Sequence, residues 1–150
     1  MTKNNIMVTV NLEELKHHSV QHCDVIILQR YDEDSIDVYF VELKRLESPY
    51  ETLPDDIQGK AIGSKQIFES EFGKMPLLAG KSIRKFFVLV IPSQAMNAIR
   101  TLIIHYLSTH RILSHPVKAS YDAVFIRKSG SFISRSCHTQ DIIIHDRYAH

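Results

Sequence analysis

Short runs of β-branched and aromatic residues, separated by longer segments of helical periodicity, are the feature that most constrains how this chain can fold. Val25-Ile26-Ile27-Leu28 and residues 36–43, 86–91, 123–126 and 142–144 have the length and composition of strands, several of them apolar enough to be buried on both faces. Residues 53–72 read as a helix. Pro54, Asp55 and Asp56 suit its first turn, Ile57, Ala61, Phe68 and Phe72 fall near one face, and Gly73 offers a stop. Gly59 and Gly63 count against that helix by about 1 kcal/mol each. Pro92-Ser93 opens a second helix, with Met96, Ile99, Ile103 and Tyr106 at helical spacing. Asn11 followed by Glu14 has the form of a capping box, predicting a short helix that ends before Asp24. The expected order is helix–strand–strand–helix–strand–helix–strand–strand, an α/β domain with a mixed sheet flanked by helices.

The chain has 150 residues, the size of one domain with one core. An apolar fraction of 44% and a charged fraction of 23% argue for a globular fold over disorder. No apolar run reaches the roughly 20 residues of a membrane span, so no membrane partner is expected. Residues 1–5 lack the features of a secretion signal, and Cys23 and Cys137 make no disulfide framework. A cytoplasmic, reducing location is the expectation.

Charge is divided unevenly. Residues 1–71 hold 14 acids and 7 bases, a net of −7, whereas residues 72–150 hold 3 acids and 11 bases, a net of +8. No carboxylate occurs between Glu71 and Asp122, a stretch that includes Lys81, Arg84 and Lys85. With Lys65, these are the candidates for contact with a polyanion such as nucleic acid. Charges that scatter over several faces once folded would read the same way in sequence.

The most informative pair is Asp24 and Glu42. If residues 24–30 and 36–43 form a hairpin about Glu33, positions whose numbers sum to 66 face each other, and Asp24 lies opposite Glu42. Cross-strand neighbours are about 5 Å apart at Cβ. Two carboxylates that close repel, and apolar surroundings raise the cost. A hard divalent cation turns the repulsion into a binding site. Lys44 shares the Glu42 face of its strand, as do Val38 and Phe40, so that face passes from apolar to charged at one end. A lone Glu-x-Lys on an edge strand has a solvated outer face as its plain alternative.

Asp24 opening a buried strand, a hydrophobic strand ending in Glu42-Leu43-Lys44, a helix carrying Gln66 and a further hydrophobic strand together resemble the PD-(D/E)XK nuclease-like superfamily. The resemblance covers about residues 11–91, leaving 92–150 as a C-terminal extension. It implies a restriction-endonuclease-like or Holliday-junction-resolvase-like fold and phosphodiester hydrolysis with Mg²⁺ or Mn²⁺, DNA being the favoured substrate. By position, Asp24 and Glu42 would be metal ligands and Lys44 the catalytic lysine. Gln66 would match the glutamine some members carry, and Glu13 or Glu14 an additional acid. Cutting both strands with one site per chain makes a homodimer an expected assembly. Cys23 stands where the family motif has proline, and Ser70 where some members have tyrosine. The competing function is a non-catalytic nucleic-acid-binding or assembly module on the same fold.

Other motifs are weaker. His105, His110 and His115 are spaced by five, which rotates around a helix. No phosphate-binding Gly-x-x-x-x-Gly-Lys loop or Gly-x-Ser-x-Gly elbow is present. Arg127-Lys128 before Ser129-Gly130-Ser131 reads as a basic turn, with phosphate binding as its alternative.

Overall fold

Burial in the computed structural model follows strand parity, with alternate residues of each strand serving two faces of one sheet. The structure describes residues 6–15, 20–44, 53–108, 113–130 and 141–148. Strands β1 (Ile6–Asn11), β2 (Val25–Arg30), β3 (Ser35–Leu43), β4 (Ser82–Ile91), β5 (Ala123–Lys128) and β6 (Ile142–Asp146) form a six-stranded sheet in chain order. β3, β4 and β5 run parallel, whereas the β1–β2, β2–β3 and β5–β6 pairs are antiparallel. The mixed α/β sheet flanked by helices is therefore observed. β5 and β6, within residues 92–150, extend the same sheet as β2 and β3.

Parallel neighbours need crossovers, and helices supply them. α1 (Leu53–Glu71) links β3 to β4, and α2 (Met96–Ser108) with α3 (His115–Ser120) links β4 to β5. Ile57, Ala61, Ile67 and Phe68 of α1, Ile99 and Ile103 of α2 and Val117 of α3 share one core cluster with Ile26, Val38, Phe40, Phe87, Leu89 and Ile126. The ring of Phe40 meets those of Phe68 and Tyr121 edge-on at 5.5 and 5.4 Å, fixing the height of α1 over β3. A smaller cluster of Tyr39, Val41, Val88, Ala123 and Phe125 occupies the other face. Among the described residues no helix is long and apolar enough to cross a membrane.

Three sequence expectations change. The capping-box segment is a four-residue 3₁₀ turn, Leu12–Leu15, and not an α-helix. A strand that the sequence reading omitted, β1, precedes it. Leu12 is fully buried and its N–H donates to the Asp24 carbonyl at 3.0 Å, so this backbone serves the sheet instead of a helix. The helix before β5 is likewise an addition to the expected order.

Candidate metal centre

The β2–β3 hairpin has the register that numbers summing to 66 demand, from Val25 opposite Val41 to Arg30 opposite Ile36. The turn is held by Asp32, whose Oδ1 accepts from the Asp34 N–H and the Ser35 hydroxyl, both at 2.8 Å. One step past the other end of the pairing, Asp24 stands opposite Glu42. The Asp24 N–H donates to the Val41 carbonyl at 3.0 Å, and its Oδ2 accepts the Leu43 N–H at 2.8 Å. One oxygen of Asp24 thus closes the end of the hairpin.

Glu42 is 3% exposed, on the sheet face that carries the helices. Its Oε2 accepts a hydrogen bond from Lys60 of α1 and lies 3.4 Å from the Lys44 ammonium. Its Oε1 is buried with no hydrogen-bond partner among the described residues. Burial raises the Glu42 carboxyl above its ordinary value, while Lys60 and Lys44 pull it down and Asp24 pushes it up. For Lys60, burial favours the neutral amine, but the Glu42 carboxylate outweighs it and the net direction is upward.

α1 reaches this end of the hairpin because its glycines permit a close approach. A methyl group on Gly63 would fall 1.6 Å from the Gln21 carbonyl oxygen, and one on Gly59 would fall 2.1 Å from Gln21 Oε1. The Cys23 N–H donates to Ser64 Oγ, one turn along from Lys60, at 2.7 Å, and the Tyr121 hydroxyl donates to the Ala61 carbonyl. The helix is thereby tied directly to the segment entering Asp24. The glycines that count against a helix in sequence are what let this helix dock.

Of the residues singled out in sequence, the structure brings together Asp24, Glu42 and Lys44. Gln66 is exposed. It lies six residues beyond Lys60 and two beyond Ser64, so it points well away from the face those two share. Glu14 is exposed in the 3₁₀ turn, and the Glu13 side chain lies outside the described residues. Lys65 pairs with Glu69 at 3.1 Å, and Lys85 lies 3.8 Å from the same oxygen. Lys81 donates to the Glu33 carbonyl, and Arg84 sits 5.1 Å above the Tyr148 ring. In register Lys85 adjoins Val38, four residues and about 13 Å from Glu42. The basic set therefore lies toward the other end of the strands. Arg127 is committed to Asp141, with Nη2 to Oδ2 at 2.8 Å, and is not a free phosphate ligand.

Lys60 is the site residue that sequence reasoning missed. Leu43, Lys44, Val90, Ile91, Pro92 and Ser129 line an open recess of about 260 Å³ at the carboxyl ends of β3, β4 and β5, and Lys44 is the one residue it shares with the Glu42 group. Crevices at such strand ends are where open α/β sheets commonly bind ligands. Among the described residues no group of three His, Cys, Asp or Glu side chains converges on one point. Two adjacent carboxylates with one unpartnered buried oxygen do fit a hard cation such as Mg²⁺, which keeps several waters and needs only one or two protein carboxylates. No protein-family model, curated protein or solved structure matches the chain.

Proposed function

We propose that this chain is a Mg²⁺- or Mn²⁺-dependent nuclease of the PD-(D/E)XK nuclease-like superfamily, hydrolysing phosphodiester bonds of nucleic acid, DNA by preference. The observation that carries the reading is Glu42 Oε1, a buried carboxylate oxygen with no hydrogen-bond partner among the described residues, opposite a second carboxylate. A buried acceptor left unmade costs about 1–3 kcal/mol, and a cation removes that cost. When bound, the cation supplies Lewis-acid polarisation of the phosphodiester and a readily ionised water. Asp24 and Glu42 hold it. Lys44, 23% exposed and lining the recess, presents its ammonium to a phosphate oxygen there and offsets the charge that develops on it. Lys65, Lys81, Arg84 and Lys85 take no part in this chemistry; they provide at most longer-range attraction to a polyanion. Gln66 and Glu14, facing solvent, are given no role. A cytoplasmic location and a homodimer remain parts of the same proposal.

One observation favours the competing reading of a non-catalytic nucleic-acid-binding or assembly module. Lys60 and Lys44 already neutralise Glu42 without a metal. The two readings separate on cleavage of labelled single-stranded, duplex and branched DNA and of RNA with Mg²⁺ or Mn²⁺, using wild type, Lys44→Ala and Glu42→Ala. Metal-dependent cutting lost in both variants is the expected result. No cutting, together with a melting temperature indifferent to metal, would leave the binding module.

A further inference from the structure

We infer that Lys60 is a built-in counter-ion that holds the cation's place on Glu42 and competes with it for that carboxylate. The inference rests on the metal-site reading above and adds a residue to it. Asp24 and Glu42 bring two negative charges to this end of the hairpin, and Lys44 and Lys60 bring two positive ones. The group is electroneutral as it stands. A divalent cation added to it leaves an excess of two positive charges in surroundings where Glu42 is 3% exposed, and that excess is poorly screened.

The two lysines are not equivalent. Lys60 hydrogen-bonds Oε2 directly, whereas Lys44 stands 3.4 Å from it and lines the recess. Lys60 also approaches from a helix held close to the segment before Asp24, by the tight approach of Gly63 to the Gln21 backbone and by the bond from Cys23 to Ser64. Its side chain, 22% exposed, has an outlet to water, so its ammonium can leave Glu42 without being stranded. Loading a cation therefore displaces Lys60 or works against its field. In either case Lys60 lowers the affinity for the cation while keeping the metal-free fold from carrying an uncompensated buried carboxylate.

The test is calorimetric titration of Mn²⁺ into metal-free wild type, Lys60→Gln, Lys60→Met and Lys60→Arg, with melting temperatures measured alongside. Removing one positive charge next to the site should tighten Mn²⁺ binding about tenfold in the Gln and Met variants. Lys60→Arg should stay close to wild type. The rise in melting temperature on adding Mn²⁺ should also be larger in the neutral variants. Met keeps the length and apolar stem of the side chain, so a folding failure confined to Gln does not remove the test. Mn²⁺ binding to wild type with equal or weaker binding to the neutral variants would overturn the role given to Lys60 and leave the metal site standing. No binding by any variant would overturn both.

Discussion

Two regions of the sheet hold buried carboxylates, and they treat them differently. Near β5 and β6, Asp141 receives Arg127 Nε at 3.2 and 3.1 Å and Nη2 at 2.8 Å, a fork geometry that uses both oxygens. Asp122 is equally occupied. Its Oδ2 takes the Lys85 N–H at 2.8 Å, and its Oδ1 takes the Tyr148 hydroxyl at 3.0 Å and Arg147 at 3.3 Å. Glu42, as buried as either, crowds two ammonium groups onto one oxygen and leaves the other without a partner among the described residues. A strut saturates its acceptors because unused ones cost stability. On the proposed reading, a carboxylate that takes up a cation keeps an acceptor available for it.

The sharpest way to break this contrast is to remove one carboxylate from each region. Asp141→Ala strands Arg127, whose side chain is 3% exposed, and should lower unfolding free energy by about 3–5 kcal/mol with no change in response to Mn²⁺. Glu42→Gln keeps an amide oxygen for Lys60, which is 22% exposed and reaches water, so its cost should be about 1 kcal/mol. The stabilisation by Mn²⁺ should vanish in that variant. Urea unfolding with and without the metal reads both effects. If Glu42→Gln proves as costly as Asp141→Ala, Glu42 is a strut like the others.

The hairpin end of this contrast was legible in sequence and the rest of it was not. Register follows from a polar turn, Asp32 to Ser35, set between apolar runs, and these are local signals that survive folding unchanged. Hence Asp24, Glu42 and Lys44 could be placed on one face from spacing alone. β1 was obscured because Asn11 and Glu14 satisfy a capping-box pattern, while the competing demand, the Leu12 N–H bonded to Asp24, is a tertiary contact. Lys60 could not be read because the lysine that meets Glu42 is decided by how α1 docks, and docking depends on Gln21, some 40 residues earlier. Arg127 looked free for the same reason: its partner Asp141 is 14 residues away in sequence.

A second test presses on that docking. In Gly63→Ala the added carbon meets backbone, 1.6 Å from the Gln21 carbonyl oxygen and 2.8 Å from its carbon, so either α1 or the strand entry carrying Cys23 and Asp24 must shift. The expected cost is about 2–3 kcal/mol, with the Mn²⁺ response weakened because Asp24 no longer keeps its place opposite Glu42. In Gly59→Ala the obstacle is the end of the exposed Gln21 side chain, which can swing aside. There the gain in helix propensity, about 1 kcal/mol, should roughly offset the crowding. Thermal unfolding of the two variants decides it, and equal losses in both would mean that the glycines do not serve the approach of α1 to Gln21.

The smallest effect concerns alkaline stability, which distinguishes the hairpin end through Cys23. This thiol is fully buried and its pKa is raised from 9.0 to about 12, first by burial, then against the lowering bond with Ser64 by the charges of Glu42 and Asp24. The folded chain holds the proton between those two values while the unfolded chain releases it. Cys23 therefore contributes stability that is complete below pH 9 and is lost as pH rises toward 12. The slope is at most about 1.4 kcal/mol per pH unit, and about 1 kcal/mol should be lost between pH 9 and 10. Tyr121, also buried and shifted well upward chiefly by burial, adds a loss of the same sign, but only above about pH 10 where an unfolded tyrosine begins to ionise. Cys23→Ala should accordingly flatten the dependence of the urea midpoint between pH 9 and 10 and leave the steeper fall above it. If the variant and wild type decline in parallel across pH 9 to 10, the alkaline sensitivity belongs to other groups, and Cys23 is not a thiol that burial holds protonated beside the carboxylate pair.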